Sequence, residues 1–368
     1  MKKDFLEKKI AIVCDWIKDL AELVLAQLLE IFPEADIFTS VFFQKNNPIF
    51  TRNIKTSYIQ KIPILNKSHK LALTMRPKAF ERFDFSNYDI VISSSSAESK
   101  VITKPEALHI CYCHTPTRYF WSHYHEYLNM MEFGLLNPIK WLMPKIVHKL
   151  RIWDFCASKR PDFFIANSKN TKNRIKKYYK REAEVIYPCV EIEKFIFNAE
   201  KEDFYLYVRC IPYKKFDLIV DAFNKNKKII IVTNTDNKLY RKLKSISKEN
   251  ISWKLNIKRE EIYELYSKAK AFLFPPEEDF LVPIEAMASG TPVIAYKGGA
   301  LETVVSGKTI FFSEQTINSL NKAIEEFEKM SFDANEIRDY SKNFDKKIFK
   351  ENILKFIEEK LENKKIPI

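Results

Sequence analysis

The sequence predicts an α/β protein made of two parallel-sheet domains in tandem. Three observations carry this expectation. Short β-branched apolar runs bounded by charge alternate with stretches that are apolar at helical spacing. That alternation starts near residue 8 and starts afresh after about residue 200. The chain has 368 residues and is 46% hydrophobic, enough for about two sizeable cores.

The elements follow in order. KKIAIVCDW (8–16) is a buried strand, with a charged entry, a β-branched run and a polar exit. LAELVLAQLLEI (20–31) is apolar at helical spacing and stops at Phe32-Pro33. ADIFTSVFF follows as a strand, YDIVISSSS (88–96) as another that runs into a polar turn, and ALHICYCH (107–114) as another. Strand, helix and strand in series indicate a parallel sheet covered by helices. The second unit reads FYLYVRC (204–210) as strand, DLIVDAFNK as helix and KKIIIVTN as strand. It continues with REEIYELYSKAK as helix, AFLFPP as strand, IEAMASG as a helix ending in glycine, and TPVIAY as strand. The polar, extended VIYPCVEIEKFIFNAEKED joins the two. We place the first domain at 1–198, the second at 199–345, and a charged amphipathic helix at 346–368 that packs back on the first domain. Two such domains make a cleft, and open α/β sheets bind ligands at the carboxyl ends of their strands.

Composition narrows the function. The formal net charge of +13 points to anionic partners: nucleic acid, anionic lipid or phosphorylated small molecules. No nucleic-acid motif accompanies it, so a nucleic-acid partner is not expected. The six cysteines form no CxxC pair and no Cys/His cluster of zinc spacing, which fits reduced, mostly buried thiols in the cytosol. The N-terminus lacks an apolar core of secretory-signal length, and no apolar run reaches about 18 residues, so neither a secretion signal nor a membrane-spanning helix is expected.

Six stretches in register carry a family resemblance across nearly the whole chain. They are IAIVCDW near the start, CYCHTPTRYFW at 111–121, FFIANSKNTKNRIKKYY at 163–179, VIYPCVEIEKF at 185–195, YVRCIPYKKFDLIVDAF at 207–223 and FPPEEDFLVPIEAMASGTPVIAYKGGALETV at 274–304. Together they resemble the retaining glycosyltransferases of family 4, which have the GT-B fold of two Rossmann-like domains facing a cleft. CYCHTPTRYFW looks most like bacterial O-antigen and capsule mannosyltransferases that use GDP-mannose.

The resemblance implies a site. Transfer from a nucleotide diphosphate sugar leaves a diphosphate whose growing charge must be stabilised by a metal or by fixed cations. The chain has no DxD triplet, so no metal and no cofactor beyond the donor are expected. Arg209 and Lys214 match the family's diphosphate-binding cations, a planar fork and a point charge. The family's two glutamates have seven residues between them, the first on the donor sugar and the second on the ribose hydroxyls, acceptors suited to paired hydroxyls. The second maps to Glu285. For the first, spacing selects Glu277, whereas the Glu-Asp-Phe sequence selects Glu278, which we prefer. Leu281 and Val282 fall in the same donor-binding stretch. His114 matches a histidine that approaches the donor sugar at a strand exit. Arg118, Tyr119, Asp15, Trp16 and Glu22 match regions that meet the acceptor. Read blandly, these are core or surface residues of ordinary turns, and only their register with the other stretches favours function.

Basic segments bear on the acceptor. Residues 140–181 hold thirteen Lys/Arg against two acids, and residues 52–82 hold eight against one. Such patches attract anionic headgroups by about 1 kcal/mol per cation. The expectation is a cytoplasmic enzyme, peripheral to the inner face of the membrane, that moves a hexose to a lipid-linked glycan. No clear first-domain carboxylate stands ready as a covalent nucleophile, so retention is expected by attack from the leaving-group face. Nothing in the sequence sets an oligomeric state.

Only five glycines occur, where about 26 are usual at this length. Four family elements are short of glycine: Asp19-Leu20-Ala21-Glu22, Val208-Arg209, Glu278-Asp279-Phe280-Leu281 and Ala295-Tyr296-Lys297-Gly298-Gly299. These glycines let backbone N–H groups close on phosphate and sugar. Their absence gives a second reading, a catalytically impaired relative that acts as a glycan- or nucleotide-sugar-binding scaffold.

Overall fold

In the computed structural model, residues 7–17, 23–43, 53–68, 71–130, 138–208, 215–223, 227–277, 281–300, 304 and 307–364 are described. The chain forms two units, one of Met1–Pro188 with Phe349–Ile368 and one of Cys189–Ile348. Our sequence-based boundaries were 198/199 and 345/346.

The first unit contains β1 (Ile10–Cys14), α1 (Leu23–Ile31), β2 (Asp36–Thr39), β3 (Ile54–Thr56), α2 (Arg76–Glu81), β4 (Ile90–Ser95), β5 (Leu108–Cys113), α3 (Tyr124–Met130), α4 (Pro138–Ala157), β6 (Phe163–Ala166), α5 (Lys169–Tyr179) and β7 (Glu184–Val185). The strands pair in parallel in the order β3-β2-β1-β4-β5-β6-β7. Every residue of β1, β4 and β5 is buried, as expected of central parallel strands covered on both faces. The strand read over 88–96 is β4, and Ser93, Ser94 and Ser95 lie within it and are buried. Their hydroxyls are accommodated by polar partners: Ser93 Oγ donates to the Ser99 carbonyl (2.7 Å) and lies 2.8 Å from His109 Nε2. Burial pushes His109 down to about 3, so it is a neutral core imidazole.

The second unit contains β8 (Glu202–Val208), α6 (Phe216–Phe223), β9 (Ile229–Thr233), α7 (Lys238–Ile246), β10 (Ile251–Leu255), α8 (Arg259–Lys268), β11 (Ala269–Phe274), α9 (Val282–Ala288), β12 (Val293–Tyr296), α10 (Lys297–Ala300), β13 (Thr309–Phe312), α11 (Ile317–Phe327) and α12 (Ala334–Ser341). Its parallel order is β10-β9-β8-β11-β12-β13. One core gathers Tyr205, Tyr207, Ile219, Phe223, Ile231, Leu273, Ile294 and Leu320. Gly290 closes α9 at φ +74, and a Cβ there would lie 2.7 Å from a Phe197 ring carbon. This is the helix-ending glycine the sequence indicated, required both by the left-handed backbone and by the close approach.

α13 (Lys346–Lys364) closes the chain on the first unit. Phe349 meets Tyr112 edge-on at 6.0 Å, Phe356 meets Phe163 at 6.4 Å, and Lys364 pairs with Asp162 at 2.7 Å. Strand order reverses between β1 and β4 in the first sheet and between β8 and β11 in the second. In open α/β sheets such reversals open a crevice at the strands' carboxyl ends.

Candidate active site

In the second unit the carboxyl ends of β8 and β11 lie side by side. The residues that follow β8 include Arg209 and Lys214, which lie outside the described residues, as does Glu278 after β11. Lys215, just ahead of α6, holds φ 56, a left-handed backbone that a side-chain-bearing residue adopts at a cost of about 1–2 kcal/mol.

After β11, Pro275 is fixed by a hydrogen bond from Gln315 Nε2 to its carbonyl (2.8 Å), and Glu277 is exposed. Leu281 is half-buried at the N-cap position of α9. Val282, expected to meet the donor, has its side chain in the core. The α9 pattern explains this: every one of its residues except Glu285 is buried. Glu285 sits in the first turn, where the helix dipole favours a carboxylate, and Tyr266 donates its hydroxyl to Oε2 at 3.2 Å.

In the first unit, His114 follows β5 and is half-buried. Its Nε2 lies 2.8 Å from Ser94 Oγ, and its ring meets Tyr112 edge-on at 5.3 Å. Burial, aided by Arg118 and opposed by Asp15, pushes it down to about 4. It is therefore a neutral hydrogen-bonding group near neutral pH.

Three residues expected to meet the acceptor are turned inward. Asp15 is buried, and its carboxylate accepts from the N–H groups of Ser96 (2.6 Å), Ala97 (2.8 Å) and Ser99 (2.7 Å). It closes the turn after β4 onto the end of β1. Trp16 is buried beside Val41, Ile59, Ala72 and Ala79. Tyr119 donates to Glu98 Oε1 (2.9 Å) and accepts from Arg76 Nη2 (2.7 Å). Arg118 is half-buried, and Glu22 lies outside the described residues.

Sequence reading missed four buried ionisable residues behind this site: Arg76, Glu98, Lys100 and Asp154. Arg76 pairs with Glu98 at 3.0 Å, and Lys100 with Asp154 at 3.0 Å. Asp154 also accepts from Thr117 Oγ1 (3.2 Å), Trp121 Nε1 (2.7 Å) and Tyr179 Oη (2.9 Å). One signal was available: Met143, Val147, Leu150 and Asp154 share one buried helical stripe, and a lone acid in an apolar stripe needs a partner. Among the described residues, no group of three His, Cys, Asp or Glu side chains is placed to hold a metal ion.

Comparison with known proteins agrees with this architecture. The family described as glycosyl transferases group 1 matches residues 190–346, and the one described as Glycosyltransferase Family 4 matches residues 21–194. The O-antigen chain mannosyltransferase RfbU of Salmonella typhimurium is 29% identical over 204 residues, covering 51% of this chain and 57% of that protein. The alpha-1,3/1,6-mannosyltransferase ALG2 of Saccharomyces cerevisiae is 26% identical over 249 residues, covering 52% of this chain and 48% of that protein. The chain thus spans about half the length of these curated relatives. The crystal structure of Anabaena Alr3699/HepE in complex with UDP-glucose superposes with a TM-score of 0.64 at 16% identity, covering 96% of this chain and all of that one, which shows a shared fold.

Proposed function

Because this chain belongs to the family-4 glycosyltransferases, we propose that it transfers a hexose from a nucleotide sugar, with mannose from GDP-mannose favoured, to a lipid-linked glycan in surface polysaccharide (O-antigen or capsule) synthesis. The carrying observation is the reversal of strand order at β8 and β11. The two stretches that leave those neighbouring strand ends hold Arg209 with Lys214 and the Glu277–Glu285 carboxylates. In this reading Arg209 and Lys214 balance the charge growing on the departing diphosphate. Glu285 accepts from the ribose hydroxyls. Glu278 or Glu277, with neutral His114, orients the hexose. Attack from the face the diphosphate leaves retains the anomeric configuration, and the reaction needs no metal. Asp15 and Glu98 are buried and already engaged, which fits a route without a covalent glycosyl-enzyme.

The test is calorimetric titration of GDP-mannose, UDP-glucose and UDP-N-acetylglucosamine into the protein without metal, followed by turnover assays. The expected result is micromolar binding of GDP-mannose that Arg209→Ala abolishes. No binding by an intact fold would overturn the reading. Binding without turnover favours the scaffold reading, toward which the missing glycines point.

The anionic inner leaflet as a partner is supported by α4. No described helix is long and apolar enough to cross a membrane. Yet α4 exposes Trp141 (78%), Leu142 (52%) and Ile152 (54%) on a face it shares with Lys145, His148 and Lys149, and its sole acid, Asp154, is buried. An aromatic and aliphatic face interleaved with cations fits a headgroup boundary. Vesicles containing anionic phosphatidylglycerol are expected to sediment the protein, and neutral phosphatidylcholine vesicles to do so poorly. The triple variant Trp141→Ala, Lys145→Ala, Lys149→Ala should weaken binding on the order of tenfold or more. Equal binding by variant and wild type would remove α4 from the contact.

A further inference from the structure

The turn after β4 forms two buried ion pairs, one with α2 and one with α4, and the carboxylates of both also take hydrogen bonds from the turn after β5. Glu98 and Lys100 stand two residues apart in the first turn. Glu98, fully buried, holds Arg76 of α2 and the hydroxyl of Tyr119. Lys100 holds Asp154, which in turn holds Thr117 and Trp121. The segment after His114 is therefore gripped at three alternate residues, 117, 119 and 121. The side chain of Arg151 adds a bond from Nε to the Phe120 carbonyl at 2.8 Å.

The two grips differ. Asp154 uses both oxygens, with Lys100 and Thr117 on Oδ1 and Trp121 and Tyr179 on Oδ2. Glu98 uses only Oε1, while Oε2 is buried and makes no hydrogen bond among the described residues. Among the described residues, Asp15, Glu98 and Asp154 are the buried carboxyls here and Arg76 and Lys100 the buried cations. Glu98 faces Arg76 from α2, Tyr119 from the turn after β5, Asp15 from the turn after β1 and Lys100 from its own turn. Burial first, with repulsion from Asp15, raises its carboxyl to about 7 against the pull of Arg76, Tyr119 and Lys100.

We propose that Glu98 is a positioning residue: through the Tyr119 hydroxyl and the Arg76 guanidinium, it fixes the 114–121 turn and so the placement of His114. It acts through other residues and touches no substrate, being fully buried. The inference rests on the glycosyl-transfer reading for its kinetic consequence, but not for its structural one. The sign of its pH dependence follows from the raised pKa. A carboxyl raised from 4.5 to about 7 stabilises the fold fully below pH 4.5, and that contribution is lost as pH rises through about 7. The turn is held best with the proton on, and turnover should fall as the proton leaves.

Two variants separate grip from charge. Glu98→Gln keeps an oxygen for Tyr119 and Arg76 and cannot ionise, whereas Glu98→Ala removes both. In nucleotide-sugar turnover, Glu98→Ala is expected to lower kcat about tenfold or more with the donor KM within about twofold, since displacements of about an ångström carry losses of this order. Glu98→Gln should keep kcat within about twofold and abolish the wild-type fall above pH 7. A readout free of activity is the titration of the His114 ring by NMR. It should stay at about 4 in wild type and Glu98→Gln and move toward 6.5 in Glu98→Ala. If Glu98→Ala does not fold, the pH profile of Glu98→Gln decides. If the wild type turns over none of the donors, the glycosyl-transfer reading fails and the His114 titration decides. An unmoved His114 titration in folded Glu98→Ala, or a fall above pH 7 that persists in Glu98→Gln, overturns the proposal.

Discussion

Asp154→Ala is expected to destabilise the first unit by about 3–5 kcal/mol, the loss typical when one member of a buried ion pair is removed. The carboxylate is fully buried and satisfies four partners: Lys100, Thr117, Trp121 and Tyr179. Without it the Lys100 cation stays buried with only the Ala97 carbonyl as a hydrogen-bond acceptor among its described contacts, and three donors lose their acceptor. Burial is the largest influence and lowers the Lys100 pKa, and Asp154, joined by Cys111, Asp15 and Cys113, outweighs it, so the buried cation leans on its carboxylate partner. Intrinsic helix propensity predicts the opposite sign, because alanine is a better helix former than aspartate by up to about 0.7 kcal/mol. Urea unfolding of the first unit therefore separates the two accounts by direction as well as size. A stabilised or unchanged Asp154→Ala protein would mean that the network contributes nothing. Lys100→Met combined with Asp154→Leu should recover much of the loss, because the charges leave together.

That network shows where sequence reading reaches and where it stops. β1, β5, β8 and β11 were legible because continuous apolar runs bounded by charge have few alternatives to a buried parallel strand. α9 was legible through its spacing and through Gly290. β3 and β7 have three and two residues, too short for a period, and β10 is an edge strand in which Ile251 alone is buried, so it shows no clear alternation. α4 contains Pro144 and a cationic outer face, which blur its apolar stripe. Within the site, residue type was legible and side-chain direction was not. Asp15 and Tyr119 are polar residues at strand exits, where a ligand contact and a buried staple look alike in sequence. Only the partners, three backbone N–H groups for Asp15 and the Glu98–Arg76 pair for Tyr119, distinguish them. Glu98 and Lys100 passed for an ordinary polar turn because their partners lie more than 20 residues away in sequence.

Glu285→Ala is expected to weaken nucleotide binding on the order of 100-fold while leaving the fold intact. A carboxylate that accepts from two ribose hydroxyls makes two charge-assisted hydrogen bonds, each contributing about 1.5–3 kcal/mol. Losing about 3 kcal/mol corresponds to roughly two powers of ten in affinity. Glu285 is half-buried in the first turn of α9, oriented by the Tyr266 hydroxyl, so its removal leaves no deeply buried charge behind. Affinity alone does not identify the contact, because any lost carboxylate alters the local field. The ribose itself supplies the discriminating measurement. Wild type should bind GDP more tightly than 2′-deoxy-GDP, and Glu285→Ala should bind both alike, since the residue that reads the hydroxyl is gone. Tyr266→Phe should weaken GDP by less than tenfold, because it frees the carboxylate without removing it. If Glu285→Ala still prefers GDP over 2′-deoxy-GDP by the wild-type factor, another residue reads the ribose. The eight-residue step that ties Glu277 to Glu285 then loses its anchor, which leaves local sequence alone to choose the sugar-binding carboxylate.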